Sequence, residues 1–452
     1  MTRSEGPKAW VVSVDMGYGH QRAAFPLKDI AFERIITANS DRIISPRERR
    51  IWKFSRVFYE TVSRLRAIPV LGRLTFGLYD KLQHIGPFYP FRVDHHPTLS
   101  VLQVKNWIVH RGLCSSLIDY VRKEKLPFIA THFIPALAAE YLGLDEVYCV
   151  VTDTDINRVW VSDKPAASKI TYLASSRHAV MRLRAYGVPD ERIVLTGFPL
   201  PKENIGGLGK KTLKQDLADR LPNLDPKRKF LTEERAVILQ HLGPRGIKRK
   251  SSHPLTLTYM VGGAGALAEI GVQIVASLKD RILKGEMSVN LAAGTRLDVA
   301  AYFKKELKLI GIDSETCENV RIRFAIDKRT YFASASEALR TTDILWTKPS
   351  ELSFYTALGL PIIIAPAVGA QEVCNKEWLI HIGSGFEQED PRYTNDWLFY
   401  VLESGKYAEA AWHGFMEAPC LGTYSIEDVV FHKGQRHNNA KQPDSSGGKG
   451  GR

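Results

Sequence analysis

Ten short apolar runs recur along the 452-residue chain, at 9–14, 127–133, 147–151, 170–175, 192–197, 255–261, 288–294, 320–326, 343–347 and 361–366. Each is five to seven residues long, rich in β-branched and aromatic side chains and closed by Gly, Pro, Thr or Asp, which is the signature of a buried strand. Between them, 113–125 and 267–283 carry apolar residues at three-to-four spacing and predict helices. Strands alternating with helices predict an α/β chain with parallel sheets.

The pattern lapses between 201 and 255, where GGLGKK, PKRKF and GPRGIKRKSSHP bring lysine, glycine and proline without periodicity. Five strands precede this stretch and five follow it. The expected organisation is therefore a lobe at 1–200, an enlarged linker at 201–255, a second lobe at 256–427 and a polar, Gly-rich tail at 428–452 expected to be disordered.

Composition narrows the class. With 44% hydrophobic and 25% charged residues the chain is an ordinary globular protein, which excludes disorder throughout and a coiled coil. The five cysteines are scattered and form no C-x-x-C pair, so a structural zinc site and an oxidising compartment are not expected. The first apolar run is too short for a signal-peptide core, and the longest near-apolar stretch, 358–370, is interrupted by two prolines and two glycines. These features predict a cytoplasmic protein, free or peripheral on the inner face of a membrane.

Lys and Arg number 62 against 49 acids, a net charge of +13 that calls for an anionic partner. Much of the excess lies in 42–92, where 11 basic residues face three acids and are interleaved with aromatics such as Trp52, Phe54, Phe58 and Tyr59. Ile51, Phe54, Ser55, Phe58, Val62 and Leu65 fall on one helical face, a pattern suited to the interface of an anionic bilayer or to an ordinary core. No nucleic-acid-binding module is recognisable, so nucleic acid is not the expected partner.

In open parallel sheets ligands bind beyond the carboxyl ends of the strands. The residues there include Asp15-Met-Gly-Tyr-Gly-His20, Thr131-His132, Asp153-Thr-Asp155, Gly262-Gly-Ala-Gly265, Lys348-Pro-Ser-Glu351 and Gly369 to Asn375. Gly17 and Gly19 allow a tight strand-to-helix turn, and His20, at the start of a predicted helix over 20–33, can take a proton from a hydroxyl. Gly262, Gly263 and Gly265 let backbone amides approach a phosphate at a helix N-terminus, and the absence of a following Lys-Ser/Thr excludes a Walker loop. Asp153 and Asp155 are open to three readings: a metal site, an aspartyl nucleophile, or capping by short carboxylates. Asn157 departs from the phosphatase pattern. Glu351 opens a predicted helix over 350–358 and could accept ribose hydroxyls; Gln371 and Asn375 share a helical face with Glu372 beside them, a set suited to sugar hydroxyls.

Taken in order, Gly17-Tyr-Gly-His20-Gln-Arg-Ala-Ala24, the segment Val150-Val-Thr-Asp153 with Trp160, Leu195-Thr-Gly-Phe-Pro199, Thr347-Lys-Pro349 and Gly369 to Asn375 resemble glycosyltransferases with two Rossmann-like lobes facing across a cleft, the GT-B fold. The nearest resemblance is to monogalactosyldiacylglycerol synthase and bacterial diacylglycerol glucosyltransferases, and more distantly to the peptidoglycan N-acetylglucosaminyltransferase. Ser350 and Glu351 stand where that family has two glycines, and one residue is inserted before Gln371. The resemblance implies an inverting hexosyl transfer from a nucleotide sugar, expected to be a UDP-sugar, to a hydroxyl of a lipid or other amphiphilic acceptor. It implies no cofactor and no metal. The base would be His20 or Asp153, with Gly17, Gly19, His132 and Trp160 on the acceptor side. The donor would meet Gly262, Gly263, Gly265, Lys348, Ser350, Glu351, Gln371, Glu372 and Asn375, and the chain after Asn375, including the helical stretch 395–417, would cross back to the first lobe. A UDP-sugar 2-epimerase, a non-catalytic nucleotide-sugar-binding protein and a metal-dependent phosphatase are the rival expectations.

Overall fold

A computed structural model describes residues 6–53, 85, 86, 88, 89, 91, 93, 96–263, 265, 267–367 and 369–432. All ten predicted runs are strands: β1 (Trp10–Ser13), β3 (Phe128–Ala130), β4 (Val147–Val150), β5 (Thr171–Ala174), β6 (Ile193–Leu195), β7 (Leu255–Met260), β8 (Met287–Gly294), β9 (Val320–Phe324), β10 (Ile344–Thr347) and β11 (Ile362–Ile364). Two short strands had no apolar run to announce them, β2 (Ile36–Thr37) and β12 (Gly385–Glu387). Both lie at sheet edges, where one neighbouring strand suffices and a long apolar run is not required.

The strands form two separate six-stranded sheets, each parallel throughout. The first is ordered β2-β1-β3-β4-β5-β6 and the second β12-β11-β10-β7-β8-β9. The protein is thus α/β, with two Rossmann-like lobes as expected. In such sheets the crevice opens where the strand order reverses. That point lies between β1 and β3 in the first lobe and between β7 and β10 in the second, so chemistry is directed to the exits of those four strands.

Residues 201–255, read as a linker, carry helices Lys202–Ile205, Lys211–Leu224, Lys229–Glu233 and Arg235–Leu242. Leu213, Leu217, Leu221, Leu224 and Ile238 from these helices are buried in the same core as β7, β8 and β10. The repeat was hidden by the charged residues of their outer faces. The predicted helix over 20–33 is shorter than expected: an α-helix spans Gly19–Ala24 and passes into a 3-10 turn at Phe25–Leu27, because Pro26 has no amide hydrogen to continue the ladder.

The chain after Asn375 does return to the first lobe, but the stretch 395–417 stays with the second. Helices Thr394–Ser404 and Lys406–Glu417 bury Leu398, Leu402, Tyr407 and Ala411 in the second lobe's core. Helix Gly422–Phe431 crosses back, burying Ile426, Val429 and Val430 against Val11, Ile129, Tyr148 and Val150, while Thr423 donates to the Leu200 carbonyl at 2.6 Å. Most of the basic aromatic segment, 54–84, and the tail 433–452 lie outside the described residues.

Candidate active site

The exits of β1 and β3 are tied by His20. Its Nδ1 donates to the Thr131 carbonyl at 2.7 Å, and the Thr131 hydroxyl donates back to the His20 carbonyl, also at 2.7 Å. With the proton fixed on Nδ1, Nε2 carries the lone pair. Burial pushes the imidazole down to about 4, against the Thr131 bond that raises it, so His20 is neutral near pH 7. His132 lies edge-on to it at 4.5 Å and Trp160 at 6.3 Å. Both are buried, and His132 Nδ1 caps the next helix by accepting from Ile134 N. The two residues read as acceptor contacts therefore back His20 in an aromatic cluster that Phe133 completes.

The two aspartates after β4 differ in kind. Both Asp155 oxygens are taken, by Arg182 at 2.8 Å on each and by His178 at 3.0 Å. Burial opposes its charge, but the bonds from His178 and Arg182 hold its carboxyl below the ordinary range. It is an anchor for its loop. Asp153 is steered by Ser175, whose hydroxyl donates to the Asp153 carbonyl at 2.6 Å. Its carboxyl is pushed up to about 7, first by burial; the Asn375 amide opposes the rise, and Glu351, Glu372 and Asp155 add to it. Among the described residues no three His, Cys, Asp or Glu side chains converge as a metal-binding group.

The second lobe brings its own strand exits to the same place. A Cβ built on Gly263 would lie 3.6 Å from Gly17 Cα and from Tyr18 N, so the two glycine loops face each other at van der Waals range. Gly265 has φ +71°, and its missing side chain makes room beside the Arg296 guanidinium. Lys348 runs beside Gly262 and pairs with Glu372 at 2.8 Å. Gln371 sits with Glu372 in the first turn of helix Ala370–His381, and Ser350 turns the chain by donating its amide to the Lys348 carbonyl at 2.8 Å.

Two of the predicted donor residues bridge the lobes. Asn375 is fully buried; its Oδ1 accepts from Thr154 N and Oγ1 at 2.9 and 2.8 Å, and its Nδ2 donates to Asp153 Oδ1 and the Pro349 carbonyl at 3.3 and 3.2 Å. An amide side chain has two donors and a two-lone-pair acceptor, so Asn375 has no capacity left for a sugar. Glu351 is buried beside Gly19, and its Oε1 accepts from Arg22 Nε at 3.2 Å. The Arg22 guanidinium lies 4.8 Å from the Phe332 ring.

Sequence reasoning missed three bridges between the lobes. Tyr18 Oη accepts from Thr295 N at 2.9 Å, Lys328 pairs with Asp15, and Arg22 meets Glu351. The only signal was position: Asp15, Tyr18 and Arg22 all lie within the strand exit and first turn that supplied His20. Thr295 was marked only as the residue that follows the run 288–294, and nothing local marks Lys328.

The fold and site together define a two-lobed α/β protein whose strand exits meet across one cleft. No protein-family model matches the chain, and no curated protein sequence matches it. Several solved structures are similar over most of its length. One is the glycotransferase of kitacinnamycin, at 12% identity and TM-score 0.47, covering 94% of this chain and 99% of that one. MurG of Acinetobacter baumannii is similar at 14% identity and TM-score 0.37 over 71% and 77% of the two chains. The UDP-GlcNAc 2-epimerase of Neisseria meningitidis, bound to UDP-GlcNAc, is similar at 13% identity and TM-score 0.43 over 74% and 83%. Transferases and an epimerase appear side by side, so the likeness does not choose a reaction.

Proposed function

We propose that the protein transfers a hexosyl group from a nucleotide sugar, with UDP as the nucleotide, to a hydroxyl of an amphiphilic acceptor, with inversion at the anomeric carbon. The observation that carries this reading is the meeting of the two lobes' strand exits, Gly263 against Gly17 and Tyr18, with the Asp153 carboxyl of the first lobe bonded to Asn375 of the second and pushed by burial up to about 7. A general base works best with its pKa near the operating pH. Asp153 meets that condition, whereas His20, held near 4, is a weaker proton acceptor.

In this reading Asp153 takes the acceptor proton while His20 Nε2 orients the hydroxyl. The hydroxyl oxygen attacks the anomeric carbon as the bond from that carbon to the diphosphate oxygen breaks. Backbone amides around Gly262, Gly263 and Gly265, with Lys348, receive the departing charge; preorganised donors of this kind contribute about 3 kcal/mol each. Gln371 and Glu372 hold the sugar. Asn375 and Glu351 act one step back, by setting Asp153 and the lobe contact. No step requires a metal or a cofactor.

An amphiphilic acceptor is supported by apolar side chains at the end of the basic segment and just beyond it: Tyr89, Phe91, Val93, Leu99 and Leu102 are all exposed. They would lie against a lipid headgroup layer whose anionic charge the segment 42–92 attracts. No helix among the described residues is long and apolar enough to cross a membrane, and the attachment proposed is peripheral, on the cytoplasmic face.

The test is product analysis by mass spectrometry after incubation with UDP-sugars, with and without diacylglycerol vesicles. Glycolipid and free UDP formed only with the acceptor support the proposal. An epimerised UDP-sugar formed without acceptor replaces it with the epimerase reading, and absence of both products with measurable nucleotide-sugar binding replaces it with a binding protein.

A further inference from the structure

The two glycine loops stand too close together for the group they are proposed to hold. A Cβ built on Gly263 would already lie 3.6 Å from Gly17 Cα and Tyr18 N, and 3.7 Å from the Tyr18 ring, so a single methyl group would fill the gap. A phosphate that accepts from an amide places one oxygen about 2.9 Å from the nitrogen, with its phosphorus and other oxygens beyond. It fits against Gly263 only if Gly17 and Tyr18 move away.

Tyr18 holds that contact in place. Its side chain leaves the first lobe yet is buried, and the second lobe receives it as a site receives a ligand. The Thr295 amide, at the exit of β8, donates to the Tyr18 hydroxyl at 2.9 Å, and the Thr295 hydroxyl lies 3.1 Å from it. Tyr331 and Phe332, on helix Lys328–Leu339, flank the ring at 5.5 and 5.9 Å, and Lys328 Nζ lies 5.7 Å from its centre. Lys328 also pairs with Asp15, which fixes the same loop a second time. A side chain that clamps a bound donor keeps its polar group for the donor. The Tyr18 hydroxyl is instead engaged by the second lobe's own backbone, at a strand exit of the kind where a parallel sheet meets its ligand.

We infer that Tyr18 is an autoinhibitory plug, which locks the first lobe's glycine loop over Gly262–Gly265 and excludes the nucleotide sugar until the lobes part. This rests on the transfer reading in one respect, that the Gly262–Gly265 loop is where the donor diphosphate sits. When only a fraction of molecules is competent to bind, the apparent affinity falls by that fraction, so loosening the plug tightens binding. A residue that touched the donor would show the opposite sign.

The test is isothermal titration calorimetry of the intact protein with UDP. Tyr18→Ala should tighten UDP binding about tenfold. Tyr18→Phe, which keeps the ring but loses the bond to Thr295, should tighten it less, and Asp15→Asn should act in the same direction. Small-angle X-ray scattering of ligand-free Tyr18→Ala should give a larger radius of gyration than the wild type, with the circular dichroism spectrum unchanged. Weaker UDP binding by Tyr18→Ala overturns the inference and makes Tyr18 a clamp; equal affinity, or no saturable heat in any form, overturns it too. Should Tyr18→Ala fail to fold, Tyr18→Phe and Asp15→Asn carry the same test with the same signs. The transfer reading is judged by products instead: tighter UDP binding by the variants, with no glycoside formed from any UDP-sugar, overturns that reading and leaves the plug standing.

Discussion

Asp153 stands under two opposed demands. The proposed transfer needs its carboxylate charged, whereas burial and the neighbouring Glu351, Glu372 and Asp155 favour the neutral acid. Its folded pKa of about 7 lies above the ordinary aspartate value of 3.8, so between those values the folded chain binds more protons than the unfolded one and stability falls as pH rises. Asp153→Asn should therefore raise the thermal midpoint at pH 8 by about 2 °C or more, with the gain vanishing near pH 4. The same variant should lower turnover about 10²–10⁴-fold, read by coupled UDP release. With the wild type, kcat/KM should climb with pH and level off above about 7; a profile already flat from pH 5 upward would transfer the base role to His20, whose imidazole is neutral from about 4.

At the scale of elements, the lobes are joined by side chains near helix starts and strand exits rather than by sheet. Asn375→Ala would leave Thr154 N–H and Oγ–H buried without their acceptor, and should cost about 2 kcal/mol in urea unfolding. Arg22→Ala would leave Glu351 buried and unpaired at about 3–5 kcal/mol, and adding Glu351→Gln should recover part of that loss. These joints explain what was legible in the sequence and what was not. The strand runs were, because a central parallel strand buried on both faces must be apolar along its length. β2 and β12 were not, since edge strands of two or three residues need no such run. The positions of His20, Asp153, Gly263 and Lys348 beyond strand ends were legible because strand exits are marked by the runs before them. Glu351 and Asn375 fall in the expected region but are engaged by the opposite lobe, since a carboxylate or amide near the start of a helix looks the same whether it meets a sugar or that lobe. That distinction depends on Arg22 and Thr154, which lie 329 and 221 positions away.

For the molecule as a whole, the contacts across the cleft describe a closed arrangement. Tyr18 lies over Gly294, whose φ of +69° and missing side chain admit the phenol; a Cβ there would collide with the Tyr18 hydroxyl. Gly294→Ala should displace Tyr18 and shift the population toward parted lobes. Small-angle X-ray scattering should then show a larger radius of gyration than the wild type without loss of helix content by circular dichroism. An unchanged radius would mean that the lobes are fixed by the remaining bridges alone.

Helix Gly422–Phe431 carries a consequence for biosynthesis. It covers strands β1, β3 and β4, yet Thr423 reaches its partner Leu200 from 223 positions downstream. While a ribosome is still translating the second lobe, the sheet made first has an uncovered apolar face around Val11, Ile129 and Val150. The half synthesised first is thus the half finished last, and a chain cut short before this helix would present that greasy surface to chaperones and proteases as a mark of incompleteness.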